Sequence, residues 1–313
     1  MELRGRKVLV TGGAGFIGSV LTRCLVDKYN AAVSILDDLS SGDLENLSGL
    51  KVNFIKGSVV DEDLVDNCVK ENEIVFHLAT RNIIVSSSRP KEDYAVNIGG
   101  TLNLLVASRK YGIEKFIQAS TSSIYGNPRY LPINEDDEKN FLNLYSVSKF
   151  AGECYCKVFY EMYEMSTTVV RFSNVYGKNQ NPENPYCGVI AKFIEWALKG
   201  EDLQIHGDGE QTRDFTYVDD AVEATIQAAL KPQSTGQVYN VGTSKEVTVN
   251  ELARMIISLC GSHSRIVHID RRDIDNIRRR VLNIERIRHD LRWIPQVTLM
   301  EGLDETIKWL KEK

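Results

Sequence analysis

What the sequence lacks narrows its function first. No uninterrupted apolar run in its 313 residues approaches the ~18 to 20 needed to cross a bilayer, so no membrane partner is expected. Its six cysteines (Cys24, Cys68, Cys154, Cys156, Cys187 and Cys260) are scattered without a C-x-x-C pair, which argues against both a disulfide framework and a zinc cage. The five histidines form no H-x-x-x-H, and no metal site is expected. There is no basic excess: 38 Lys and Arg face 43 Asp and Glu, a net charge of −5, which disfavours a nucleic-acid partner held through its phosphates. The opening MELRGRKVLVTGG lacks the apolar stretch and cleavage site of a secretory signal, so a cytoplasmic protein is expected.

What is present is an ordinary globular composition, 42% hydrophobic and 26% charged, in which short β-branched runs alternate with longer amphipathic ones. Lys7–Thr11, Ala32–Leu36, Val52–Ile55, Ile74–Leu78, Lys115–Ala119 and Thr167–Phe172 read as strands. Helical patterns near 16–29, 61–70, 93–111 and 145–165 separate several of them. This cadence predicts an α/β fold, a doubly wound parallel sheet with helices on both faces. Past Tyr176 the cadence loosens at KNQNPENPYCG. Helices near 188–199, 218–230, 248–260 and 300–312, with strands at Leu203–His206, Gln237–Val241 and Arg265–Ile269, predict a smaller second α/β region. The expected division is 1–176 and 177–313, with some crossing of the chain between them and a cleft where they meet.

Gly12, Gly15 and Gly18 in TGGAGFIGS follow the first strand and open the first helix. Such a loop permits a tight turn, close approach of backbone to a diphosphate, and tight packing of helix on sheet. The helix N-terminus then offers unpaired N–H groups to the negative charge. Asp37 ends the second strand, 19 residues after Gly18, where a carboxylate accepts hydrogen bonds from ribose hydroxyls and repels a 2′-phosphate. The expected cofactor is therefore NAD, not NADP. Asp38 is a further candidate, and no Arg or Lys lies in the stretch from Asp38 to Gly42 to offset that repulsion.

Tyr145 and Lys149 in YSVSK form an i, i+4 pair that puts phenol and ammonium on one helix face. A free phenol titrates near ~10, so action as a base at neutral pH needs about 4 kcal/mol of preferential stabilisation of the phenolate. Lys149 and a cationic nicotinamide are the candidates to supply it. The hydroxyl-rich ASTSSIYG lies at the end of a preceding strand.

With these residues in place, the sequence resembles the extended short-chain dehydrogenase/reductase superfamily, in its nucleotide-sugar epimerase/dehydratase branch. TGGAGFIGS, ILDDLSSG, VFHLAT, NIGGTLNLL, STSSIYG, YSVSK, RFSNVYG, GDGEQTRDFTYVDD and YNVG follow in that branch's order over nearly the whole chain. The resemblance implies a Rossmann-like sheet with Tyr145 as the acid/base. Lys149 would orient the nicotinamide ribose and lower the tyrosine pKa, and Thr121 would hydrogen-bond the reacting oxygen. It also implies a cofactor wall of Phe16, Ile17, Ser41, Gly42, Ser58, Val59, Leu78, Ala79, Thr80 and Asn97, with His77 contributing backbone and packing only. A homodimer joined through the helices near 93–111 and 145–165 is expected as well. Ser58 stands where this branch commonly has an acid that contacts adenine. Ser122 and Ser123 stand where related dehydratases have Asp and Glu.

On the substrate side the resemblance implies nucleotide-diphosphate contacts at Asn174 and Arg213, and a nucleobase pocket near Val189, Gln204 and His206. Residues 265–292 carry nine arginines against five acids. Either Arg272 or Arg278 is expected at the diphosphate, and Arg280 near the sugar, with Ser122 and Ser123 as hydroxyl contacts. The expected activity is 4-epimerisation of a UDP-sugar, by default UDP-glucose and UDP-galactose. UDP-glucuronate epimerisation, dehydration or decarboxylation of a nucleotide sugar, and a non-enzymatic NAD-sensing scaffold are the alternatives.

Overall fold

The computed structural model describes residues 2–183, 188–271 and 277–312. In the first half, strands β1 (Lys7–Thr11), β2 (Ala32–Asp37), β3 (Asn53–Lys56), β4 (Ile74–His77), β5 (Lys115–Thr121) and β6 (Thr167–Phe172) alternate with helices. These are α1 (Phe16–Asp27), α2 (Glu62–Lys70), the short α3 (Ile83–Ser88) and α4 (Pro90–Asp93), α5 (Thr101–Tyr111) and α6 (Leu144–Tyr163). There follow β7 (Asn174–Tyr176), α7 (Val189–Lys199), β8 (Leu203–His206), β9 (Thr212–Arg213), β10 (Phe215–Tyr217) and α8 (Val218–Leu230). The chain ends with β11 (Val238–Val241), β12 (Val247–Thr248), α9 (Val249–Cys260), β13 (Ile266–Ile269), α10 (Glu285–Leu291) and α11 (Leu299–Glu312).

Seven strands form one parallel sheet in the order β11-β6-β5-β4-β1-β2-β3. Both faces are covered, which explains why β1 (KVLVT) and β4 (IVFH) read as unbroken apolar runs. Val8, Val10, Ile35 and Phe76 belong to one core cluster, which also takes in residues of α1 and α8. Leu9, Leu36, Val75 and Phe116 belong to the other, with residues of α2, α5 and α6. Strand order reverses between β1 and β4, and the crevice at their carboxyl ends is where an open α/β sheet places its ligand.

The second half does not fold apart from the first. Strand β11 pairs with β6 at the sheet edge, so the chain returns to the first sheet after residue 176. The remaining strands form three small pairs: β13 with β8, β10 with β7, and β12 with β9. One expected element differs. The helix expected over 93–111 is two pieces, because Tyr94–Gly100 is wound as a π-helix before α5 begins. Its wider turn brings the buried Asn97 toward residues 80–81 and α6. Among the described residues, no helix is long and apolar enough to cross a membrane.

Candidate active site

A cavity of 710 Å³ opens at the β1/β4 crevice. Its floor is the glycine loop. Gly12 has φ 71°, and a Cβ there would stand 2.6 Å from the Ala79 nitrogen; at Gly18 it would stand 2.0 Å from the Gly12 oxygen. Larger residues would push the loop away from β4 or lift α1 off the sheet. Helix α1 starts at Gly15 with no side-chain cap, so its first N–H groups remain available to an anion. Gly12, Gly15, Phe16, Ile17 and Gly18 all line the cavity.

Asp37 stands at one end of it, 7% exposed, with its carboxylate accepting from the N–H groups of Ala14 (2.9 Å) and Leu39 (2.8 Å). Burial pushes its pKa upward, and those two N–H donors pull it back. Both oxygens keep lone pairs for ribose hydroxyls. Asp38, Ser41, Gly42, Ser58 and Val59 line the same end. One reading of the sequence needs correction: a cation does reach this loop. Arg81, directly after the Leu78–Ala79–Thr80 wall, pairs with Asp38 (2.6 Å) and Glu92 (2.6 Å). Burial works to raise the Asp38 pKa, yet the bonds from Arg81 and Ser40 hold it below its ordinary value. Two carboxylates already engage this guanidinium and Asp37 remains beside Asp38, so a 2′-phosphate remains disfavoured.

Tyr145 and Lys149 line the cavity too, with Ser120 from the end of β5. Thr80 and Thr121 both act on the Tyr145 phenol in the direction that favours its ionised form. Thr121 Oγ1 accepts the Ser123 N–H (3.1 Å), which leaves the Thr121 hydroxyl proton to donate. Burial pushes the phenol up to about 12, with Thr80 and Thr121 pulling it down and Asp93 adding to the rise. The same burial brings the Lys149 ammonium down to about 8, while Glu153, Cys156 and Asp93 hold it up. Burial governs both groups, and the phenol stays protonated at neutral pH.

Behind this pair lies a buried polar layer. Glu153 continues the Tyr145–Lys149 face of α6 and accepts a bond from Ser120. Arg171 of β6 forks onto Glu153 at 2.6 to 3.1 Å and donates to the Tyr125 hydroxyl (2.7 Å) and the Glu135 carbonyl (2.8 Å). His77 lies between Thr11 (2.7 Å) and Thr101 (2.9 Å). Thr101 donates to the Asn97 carbonyl, so it accepts from Nε2–H, and Thr11 donates to Nδ1. Burial, and secondarily Lys149, hold this imidazole neutral. Asn97 lies behind the wall, not on it: its Oδ1 accepts from Thr80 (3.0 Å) and the Arg81 N–H (2.7 Å). Its Nδ2 reaches Asp93 (2.6 Å) and Ser148 of α6 (3.1 Å). It contacts the cofactor wall from outside because the π-helical turn sets it one layer back.

Of the described substrate candidates, none lines the cavity. Hydrogen bonds tie three of them to the segment 211–214: the Asn174 N–H to the Asp214 carbonyl (3.0 Å), the Thr212 N–H to the Arg278 carbonyl (2.9 Å), and Gln211 Nε2 to the His206 carbonyl (3.0 Å). Gln204 and His206 lie on β8 and Val189 opens α7. Arg213 is buried and donates to the carbonyls of Thr212 and Ile277, both at 2.8 Å. Arg278 is half-exposed and pairs with Asp208 (2.7 Å), while Arg280 is buried. Ser122 and Ser123 are 1% and 7% exposed. Arg272 lies outside the described residues. Asn174 Oδ1 is buried without a hydrogen-bond partner among the described residues, which leaves that amide open to a ligand.

These features meet in the comparison with known proteins, where residues 8–242 match the model of the NAD dependent epimerase/dehydratase family. The chain belongs to that family. NAD is its cofactor, and the uncapped helix, the glycine cradle and Asp37 fit it. The family member of Methanocaldococcus jannaschii described as a putative UDP-glucose 4-epimerase is 38% identical over 307 residues, 97% of this chain and 98% of its own. A UDP-N-acetyl-alpha-D-glucosaminuronate decarboxylase of Bacillus cytotoxicus is 36% identical, covering 98% of each chain. The UDP-glucose 4-epimerase of Thermotoga maritima, solved with UDP-glucose, superposes with a TM-score of 0.94 at 37% identity, covering 98% of this chain and 99% of that one.

Sequence reasoning missed Arg81 and Glu153, and also the loop from Asn179 to Glu183, whose residues Asn179, Gln180, Asn181 and Glu183 line the cavity. Asn179 anchors this loop to the first helix through Ser19 (3.1 Å). The unusual density of amides there was the available signal.

Proposed function

We propose that this family member is a UDP-sugar 4-epimerase, with UDP-glucose and UDP-galactose as the default pair. One observation carries the choice of epimerisation over elimination. Thr121 is followed by two buried serines, so the two positions after it offer no carboxyl group to take a proton from sugar carbon or give one to a departing hydroxyl. Among the described residues, Asp37, Asp38 and Asp43 line the cavity around the ribose end, and the other lining carboxylate, Glu183, is exposed.

Tyr145 is the group that accepts the proton of the sugar 4-hydroxyl and returns it. Thr121, its own oxygen already accepting Ser123 N–H, donates to the reacting oxygen and holds it in line with the phenol. Lowering a phenol from about 12 to neutral pH requires about 7 kcal/mol, and Lys149, one turn along the same helix, is the proposed source of part of it together with the charge of the bound cofactor. NAD, held by the glycine loop and Asp37, would supply reversible hydride exchange with C4. Asn174 and Arg213, with Arg272 or Arg278, are the proposed diphosphate holders, Val189, Gln204 and His206 the nucleobase pocket, and Arg280 a sugar contact. The functional unit is proposed as a homodimer, because α5, α6 and the π-helical turn expose Tyr94, Val106, Leu144, Val147, Val158 and Met162.

The test is incubation of the purified protein with UDP-glucose, UDP-N-acetylglucosamine and UDP-glucuronate without added NAD. A C4 isomer of one of them supports the reading. A 4-keto-6-deoxy sugar or released CO₂ instead would replace it with a dehydratase or a decarboxylase. No turnover of any of the three would favour a binding protein.

A further inference from the structure

We propose that Arg81 is a strap that retains the cofactor: it ties the loop after β2 to helix α4 across the adenosine end of the cavity and sets how long NAD stays bound. The inference rests on NAD binding and not on which sugar is the substrate. Arg81 lines the cavity together with Asp37, Asp38 and Ser41. All three guanidinium nitrogens are engaged: Nη2 with Asp38 Oδ2, Nη1 with Ser40 Oγ and Nε with Glu92 Oε1, each at 2.6 Å. The first two partners lie 43 and 41 positions earlier in the chain and the third 11 positions later. One side chain thereby joins two segments that the sheet alone does not connect.

The root of the strap is fixed as well. The Arg81 N–H donates to Asn97 Oδ1 (2.7 Å) and its carbonyl accepts from Asn97 Nδ2 (2.9 Å), so backbone motion is restrained. The side chain is 12% exposed, which screens these pairs less than ordinary surface ion pairs. Arginine suits the task because a planar fork meets three acceptors in fixed directions, whereas a lysine ammonium acts as a point charge. The charge also has a second effect. Asp38 is adjacent to Asp37, and pairing it with Arg81 leaves Asp37 as the carboxylate that addresses the ribose diol. Without Arg81, two neighbouring carboxylates repel across a loop of five residues, and the exit over that loop loosens.

The experiment follows NAD release. Protein carrying radiolabelled NAD is diluted into excess unlabelled NAD, and retained label is read by filtration over time, with association rates measured separately. Arg81→Gln is expected to release NAD faster by about tenfold or more, equivalent to about 1.4 kcal/mol, with the association rate changed far less. Arg81→Lys is expected to restore only part of the retention. Glu92→Gln removes one end of the strap outside the cavity and is expected to speed release several-fold, which keeps the question decidable if Arg81→Gln does not fold. Release from Arg81→Gln or, failing that, from Glu92→Gln within twofold of the unaltered protein would overturn the proposal. So would full retention in Arg81→Lys, because a point charge would then suffice.

Discussion

Replacing Glu153 by Gln separates two things that the carboxylate does. It is 4% exposed, and so is the Arg171 side chain that forks onto it. Glutamine keeps the shape but leaves a buried guanidinium without its counter-ion, and removing one partner of a buried pair costs about 3 to 5 kcal/mol. Against a total stability of roughly 5 to 15 kcal/mol, that is a large share, visible as a lower urea midpoint. The second effect is on the chemistry. Lys149 has been brought to about 8 by burial, and Glu153 is the largest influence holding it up, with Cys156 on the same helix and Asp93 from α4 assisting. Neutral His77 faces it from β4 and adds no charge. In Glu153→Gln the Lys149 pKa falls, so the protonated form is lost at lower pH and the alkaline limb of kcat moves to lower pH. Adding Arg171→Met should recover part of the stability, since no unpaired charge remains, and should leave the displaced pH profile as it is. A stability loss under about 1 kcal/mol, or an alkaline limb that stays in place, would refute the reasoning.

Three further outcomes are expected. Tyr145→Phe keeps NAD bound while kcat falls by about 10² or more; a loss below about tenfold would remove Tyr145 from proton transfer. Lys115 lies buried among Ser166, Ser234 and Thr235, and burial lowers its pKa from 10.5 to about 7. The unfolded chain therefore holds one more proton between about pH 7 and 10.5, so this group makes stability rise with pH in that window, by up to about 5 kcal/mol. Lys115→Met removes that contribution, and equal pH slopes of stability in both proteins would show that Lys115 is not desolvated. Light scattering at micromolar concentration should give a dimer, and paired Val158→Glu and Met162→Glu substitutions a monomer; a monomeric unaltered protein would disprove the proposed interface.

The cofactor half was legible because its constraints are local. A glycine loop must sit between β1 and α1, and strands buried on both faces must be apolar throughout, so both appear as short continuous strings. Tyr145 and Lys149 share a helix face by spacing alone, and Glu153 extends that face by one further i+4 step. Its partner could not be read, because Arg171 occurs in TTVVRF, an otherwise apolar strand, and only the β5–β6 pairing and the packing of α6 bring the two together. Arg81 was hidden for the same reason: its anions are contributed by the loop after β2 and by α4, while its own neighbours in sequence are uncharged. The π-helical turn was missed because an apolar stripe fits an α-helix equally well until Asn97 finds its partners. On the substrate side, Arg213 looks in sequence like a free cation, yet it is buried against backbone carbonyls.

The most direct test of 4-epimerisation is turnover of UDP-glucose in D₂O, read by proton NMR of the sugar ring. The hydrogen that leaves C4 should return to C4, and Tyr145 should exchange only the hydroxyl proton, so the expected UDP-galactose carries no deuterium on carbon. Deuterium at C5, accompanied by a 4-keto-6-deoxy product, would show that a proton is removed from sugar carbon and that the chemistry is elimination.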